Sequence, residues 1–470
     1  MNKKVFIIIV AALLAMAVLA GCTESYKTQP IPTDFSDLTV TSNGGLAVRV
    51  GKYLYYINGY AGNEVNNVFG EVYKGAIARV ELDADGIPQD STNMIVVAKN
   101  VYNTVSTSGL YVVKDYIYYS TPSIEKNSRG EPKINEMHIM RTKLDGTDTQ
   151  TVAKFKDYTP IYKVVDGYLL YVNSESELHE IDLNSKKFDD KLVTDEVAAH
   201  HMTEYKNNSN SFVDAVFYTK ADEDKSKTNN VIWAYRAGGE AKKVIEGNKN
   251  SYGDSLEHAG GYTLTLVASQ YMGDGLRLVY DKTDGGSQMS QGTYSYDFTS
   301  SLGFDRTQEV RYGWAKTFSS LTFLNQEKVI ALSGNNVVLL TVQEDGRWLE
   351  KNLIEQSAAP TIFDVVISQE KVTVYFISSS ILYRMDVLKG EDFEISLKSA
   401  SEVMGNTYKA DWLSLDKVGN MIYFFNSKMK DNVYYINRDT VKDRDGDSKK
   451  PILLGLFTAE DELELVIPSN

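Results

Sequence analysis

The chain has 470 residues, and its 63 acidic side chains outnumber 49 basic ones, giving a formal charge of −14. A body this acidic is repelled by phosphate backbones and anionic headgroups, which argues against nucleic acid as a partner. Cys22 is the sole cysteine, so no intramolecular disulfide can form, and with nine prolines and 24% charged residues the composition is that of a folded chain.

The first element is an export signal. Lys3 and Lys4 precede an unbroken apolar stretch over residues 5–20, followed by Gly21 and Cys22. A basic head, a short apolar middle and small residues at a cut site describe a secretory signal peptide, and the stretch is shorter than the roughly 20 apolar residues that cross a bilayer. The run 19–22 (LAGC) resembles the lipobox of bacterial lipoproteins. That resemblance implies cleavage after Gly21 and a diacylglyceryl group on Cys22. One acyl chain binds a membrane marginally and two or more hold firmly, so a lipidated Cys22 tethers a soluble body to the extracytoplasmic face. Thr23 follows the cysteine in place of the Asp that retains lipoproteins at an inner membrane, which leaves an outer membrane open as the location. Removing residues 1–21 leaves 47 basic against 63 acidic side chains, a charge of −16. Residues 22–36 carry Pro30 and Pro32 among polar residues and read as a lipidated stalk.

From residue 37 onward the sequence repeats. Tyrosine-rich, strand-like runs follow turn residues at 51–58 (GKYLYYIN), 114–119 (KDYIYY), 166–173 (DGYLLYVN) and 214–218 (DAVFY). Similar runs follow at 275–280, 328–332, 371–376 and 419–425. β-Branched and aromatic residues bounded by Gly, Asp, Asn and Lys predict strands between tight turns. A second strand follows most runs and enters an acidic turn, as at 77–82 before Asp85-Gly86 and at 138–144 before Asp145-Gly146. Asp-Gly is the pair that a two-residue hairpin demands. Units about 45–60 residues apart, each unable to cover both faces of its own sheet, fit radial stacking. The expected fold is all-β: a single β-propeller over 37–470, of about eight blades, with seven as the alternative. The stretches 264–280 and 286–318 are hardest to divide. Leu463, Leu465 and Ile467 alternate in a last strand that is expected to pair with residues 38–40 and close the ring.

The runs 116–119 (YIYY), 139–141 (IMR), 144–147 (LDGT) and 381–385 (ILYRM) carry a resemblance. They resemble the repeat of a bacterial surface-protein family of unknown function, likened to the propeller of low-density-lipoprotein-receptor-related proteins. The resemblance implies a fold and no activity.

Candidate chemistry is sparse. Ser255 lies in Gly253-Asp254-Ser255-Leu256, the signature of one esterase class, but the last histidine, His258, is three residues on and lacks the aspartate that class places before it. A serine without a positioned base is a poor nucleophile, and the run reads as a loop. Asp443, Asp445 and Asp447 have calcium-like alternation, yet Gly446 occupies the fourth loop position and Leu454 the twelfth. A solvated acidic loop is the simpler reading. His200 and His201 are strand neighbours facing opposite sides, unsuited to sharing one metal. Asp85, Asp145, Asp284 and Asp345 are read as turn formers, and the tyrosine doublets as packing between blades rather than a sugar- or peptide-binding platform. No catalytic residue, cofactor or metal is expected. The leading expectation is a non-catalytic surface lipoprotein that binds a protein or a cell-wall glycan. The alternative is an extracytoplasmic lyase or hydrolase, whose carboxylates would converge with His138, His179 or His258 in one channel.

Overall fold

The computed structural model describes residues 40–41, 45–58, 76–97, 109–123, 128–129, 136–156, 162–165, 167–202, 215–220, 231–247, 261–272, 275–299, 309–314, 316–356, 358–367, 371–389, 395–397, 401–402, 412–415, 421–426, 432–437 and 452–454. They form eight antiparallel sheets, each built from strands consecutive in the chain. Sheet one is Val40–Thr41, Ala47–Val50, Tyr53–Asn58, Ala76–Leu82 and Pro88–Val97. Sheet two is Tyr111–Val113, Tyr116–Pro122, Glu136–Lys143 and Gln150–Lys156. Sheet three is Tyr162–Val165, Tyr168–Val172, Leu178–Asp182 and Asp190–Thr194. Sheet four is Val197–Met202, Ala215–Lys220, Val231–Arg236 and Lys242–Glu246. Sheet five is Tyr262–Met272, Gly275–Asp284, Ser290–Thr299 and Val310–Tyr312. Sheet six is Ser319–Phe323, Lys328–Ser333, Asn336–Val342 and Trp348–Glu355. Sheet seven is Thr361–Ile367, Lys371–Ser378, Ile381–Lys389 and Ile395–Leu397, with Ser401–Glu402 also on its third strand. Sheet eight is Trp412–Leu415, Met421–Asn426, Asn432–Asn437 and Ile452–Leu454.

The fold is an all-β single propeller, as the repeat predicts. Neighbouring sheets share apolar cores around the ring. Sheets two and three meet through Tyr111, Phe155, Tyr162 and Tyr171. Leu170 and Leu178 meet Val216 and Tyr218 between three and four. Phe217 and Ile232 meet Leu278 and Phe298 between four and five, and Val279 and Tyr312 meet Phe323 and Val329 between five and six. Ile330 and Leu339 meet Val374 and Phe376 between six and seven. Closure is visible in one cluster, where Met421, Tyr423, Val433 and Tyr435 of sheet eight pack with Tyr55, Ile77 and Val80 of sheet one and Ile117 and Tyr119 of sheet two. Each such side chain taken from water contributes about 1.5–3 kcal/mol, and an isolated sheet could bury one face at most. Residues 463–467, read as the closing strand, and 38–39 lie outside the described residues. Val40 and Thr41 pair with Val50 and Arg49 of their own sheet.

First strands of successive sheets lie against one another, as in sheets four to seven, while fourth strands such as Asp190–Thr194 are largely exposed. The first strand is therefore innermost. The three tyrosine doublets are packing residues: Tyr55 and Tyr56, Tyr118 and Tyr119, and Tyr434 and Tyr435 are buried. The Tyr55 hydroxyl crosses to sheet two and donates to the Leu144 carbonyl at 3.0 Å. Burial raises its pKa well above the ordinary phenol value.

The turns correct one expectation. The type I′ two-residue loop that Asp-Gly favours needs two positive φ angles, whereas the recurring turn has one. Lys143 N–H donates to Thr147 O at 2.9 Å and Gly146 N–H to Lys143 O at 2.8 Å. The same pair of bonds recurs from Asp83 to Ile87 and from Gln343 to Arg347. This is a type I turn followed by one left-handed residue, and glycine holds that place at Gly86, Gly146 and Gly346 (φ +76°, +84° and +79°). The aspartates act through their side chains: Asp145 Oδ1 accepts from Thr147 N–H, and Asp345 Oδ1 from Arg347 N–H. Asp284 accepts from Gly286 and Ser287 N–H. In the turn containing Asp85 the accepting side chain is Asp83.

Candidate functional site

The densest polar cluster around a histidine among the described residues sits on sheet three. The turn from Asn173 to Glu177 has the bonds just described, with Ser176 in the left-handed position (φ +63°). Asn173 Oδ1 accepts from Glu175 and Glu177 N–H at 2.9 Å each, which pins the turn. Its Nδ2 donates to Glu177 Oε2 at 2.6 Å. His179 follows Glu177 by two residues, so strand alternation puts both on one face, and its Nε2 lies 3.2 Å from the same Oε2. Its Nδ1 lies 2.9 Å from Asp190 Oδ1 on the fourth strand. Tyr171, across from His179 on the second strand, stacks on the imidazole at 5.0 Å and 11°. The Tyr171 hydroxyl donates to Asp190 Oδ2 at 2.5 Å, and Phe155 of sheet two packs edge-on against the Tyr171 ring. The Asn173 amide, then His179, hold the Glu177 carboxyl below the usual range.

Sheet two carries a simpler version, two residues out of step: His138 lies across from Thr121, and Met140 takes the position that His179 has in sheet three. His138 again lies two residues after a glutamate on the third strand. It is buried, and its Nε2 lies 2.7 Å from Glu136 Oε1. The two histidines occupy separate sheets, each held by its own sheet's carboxylates. Neither presents an unengaged Nε2 to a shared centre, and an acid–base pair working on one substrate would need one. His200 pairs with Tyr218 and His201 with Phe217, successive positions of one strand. Among the described residues no cluster of three or more His, Cys, Asp or Glu side chains is arranged to hold a metal ion. Cys22, Ser255, His258, Asp443, Asp445 and Asp447 lie outside the described residues.

Buried charges elsewhere bind sheet to sheet. Glu180 is buried between sheets three and four. It accepts from the Tyr235 hydroxyl and Gly238 N–H at 2.6 Å each, with Lys191 at 3.6 Å. Arg277 makes a bidentate pair with Asp297 at 2.7 Å, covers the Phe323 ring of sheet six and donates to Gln326. Gln270 uses its amide as a strand segment, donating to Phe323 O and accepting from Phe323 N–H. These are seam fasteners, and none was singled out from the sequence. Their roles depend on which sheet comes next, and local pattern does not carry that information.

No protein-family model and no curated protein matches the chain. Solved structures similar to it include a eukaryotic initiation factor, at 9% identity over 91% of this chain and 88% of that one, with a TM-score of 0.45. Apo AztD from Citrobacter koseri is similar at 11% identity, covering 81% and 94%, with a TM-score of 0.41. The β-propeller domain of Cps50 (Swd1) from Myceliophteria thermophila is similar at 9% identity, covering 70% and 95%, with a TM-score of 0.35. None of these likenesses bears on activity. The fold rests on the sheet order and the shared cores described above.

Proposed function

We propose that this is a lipid-anchored extracytoplasmic protein whose propeller binds a protein or cell-envelope ligand without catalysis. The anchor is the thioether-linked lipid on Cys22, released from the signal peptide by cleavage after Gly21. Residues 22–36 form the stalk and 37–470 the binding body. The resemblance to the bacterial surface-protein family belongs to the same reading, since that family's propeller is carried outside the cell. The observation that carries non-catalysis is the separation of His138 and His179, each tied to carboxylates of its own sheet. Loops between sheets gather on the faces of a propeller and supply a recognition surface without reacting groups.

Two measurements test it. Cells grown with labelled fatty acid should label the full chain, and Cys22→Ser should abolish the label; equal labelling of both would remove the anchor. The body, residues 23–470, immobilised and offered separated protein and glycan fractions of its own envelope, should retain material unchanged in mass. Retention of nothing, or release of cleaved product, would overturn the binding reading.

A further inference from the structure

Sheet five contains the parts of a cation receptor, and they converge on one of its own side chains. Lys282 lies near the end of the second strand, buried in an aromatic setting. Its ammonium sits 4.1 Å from the Tyr294 ring centre, 5.6 Å from Tyr262 and 6.0 Å from Tyr280. A carboxylate completes the enclosure: Glu309 Oε1 lies 2.7 Å from Lys282 Nζ, and both side chains of this pair are 9% exposed. The Tyr280 hydroxyl donates to the same Glu309 oxygen, which fixes the carboxylate against the ring.

Register explains the enclosure. The residues directly across from Lys282 are Leu264 on the first strand and Gly292 on the third. Gly292 has a φ of +103°, which disfavours any other residue, and a Cβ there would approach the Arg311 guanidinium. Tyr262 and Tyr294 stand two residues along on the flanking strands, so their rings reach the ammonium from two sides. Aromatic faces within about 6 Å of a cation attract it through the ring quadrupole, most strongly where water is excluded. Three such faces and one carboxylate are the composition that recognises alkylated ammonium ions.

We infer that sheet five holds a built-in alkylammonium site whose resident guest is Lys282, so that cutting back this side chain leaves a cavity selective for small organic cations. The native site is closed to free ligand because its occupant is covalently supplied at very high effective concentration.

The experiment is chemical rescue. In Lys282→Ala the missing atoms are those of n-propylammonium. The variant should melt lower than the native chain. n-Propylammonium and tetramethylammonium should raise its melting temperature saturably, leaving the native chain unmoved. 1-Propanol, the uncharged counterpart of n-propylammonium, should bind about tenfold more weakly or worse, in line with a desolvated cation–π contact. Adding Glu309→Gln should weaken the cation response and not the alcohol response. A folded Lys282→Ala that gains nothing from either cation overturns the inference, as does one that responds equally to cation and alcohol. Should Lys282→Ala not fold, Lys282→Met keeps the stem and removes the charge. Tyr294→Leu should then lower the folding constant about fivefold more in the native background than in the Lys282→Met background. Equal losses in both backgrounds overturn the inference by that route.

Discussion

Sheets five and seven each set an aspartate against a threonine across the strand, Asp281 half-buried and Asp386 buried, and the two have shifted in opposite directions. In sheet seven, Thr373 donates to Asp386 Oδ1 at 2.8 Å; in sheet five, Thr293 donates to Asp281 Oδ1 at 2.5 Å. Burial works against both charges. At Asp386 it is outweighed by Arg384, Thr373 and Lys371, and the carboxyl lies below its ordinary range. The Arg384 guanidinium reaches Asp386 at 3.1 and 2.9 Å and Lys371 reaches it at 3.2 Å. At Asp281 burial prevails over the single threonine, and the carboxyl is raised. A hydroxyl donor does not compensate a desolvated carboxylate; a cation with directed N–H groups does.

The largest test removes the cation. Arg384→Met should destabilise the native chain by about 2–3 kcal/mol, since a buried charge left without its partner is costly. It should also move Asp386 toward the behaviour of Asp281, which a carboxyl-carbon NMR titration would read. An unshifted Asp386 would mean that Lys371 alone sustains the charge. Next, Asp386→Asn should cost about 2 kcal/mol at neutral pH. The sign follows from the lowered native pKa. The stabilisation is present above the unfolded value of about 4 and is lost as pH falls through the native one, so the two chains should converge in acid denaturation below pH about 4. Asp281→Asn should do the reverse. With a raised native pKa the ionised carboxyl costs stability at neutral pH, so the amide should be neutral or up to about 1 kcal/mol better there. That advantage should vanish as pH drops and the native acid protonates. Parallel pH profiles for the two substitutions would remove the contrast. The smallest expected effect lies in sheet three. Ser176→Gly should raise stability by roughly 0.5–1 kcal/mol, because Ser176 occupies the left-handed place that glycine fills in the matching turns.

Sheets two, three and five show what the sequence could and could not disclose. Each tyrosine-rich run falls on a strand inside its sheet, and the runs that follow at 138–144 and 178–183 fall on the next strand of the same sheet. Those strands have five residues or more, carry β-branched or aromatic side chains and are bounded by turns, so local pattern exposes them. First strands such as Tyr111–Val113 and Tyr162–Val165 have three or four residues, too few to show a period. The region around 264–280 resisted division because it holds two long strands, Tyr262–Met272 and Gly275–Asp284, with only residues 273–274 between them. His138 and His179 were nameable in advance as candidates, whereas the Glu-x-His spacing they share went unread. The partnership of His179 with Asp190 and of Lys282 with Tyr262 was not. Those contacts depend on register across strands, which a one-dimensional pattern leaves open.

The shared core of sheets one, two and eight has a consequence for assembly. Leu54, Ile57 and Val80 are made hundreds of residues before Met421 and Val433, which share their core. The earliest leaf thus waits longest for its last neighbour, with Leu54, Ile57 and Val80 open to any other sticky surface meanwhile. Contacts so distant along the chain slow folding and lengthen the interval of aggregation risk. Truncated chains that stop short of position 421 should therefore clump more readily than their lost mass alone would suggest.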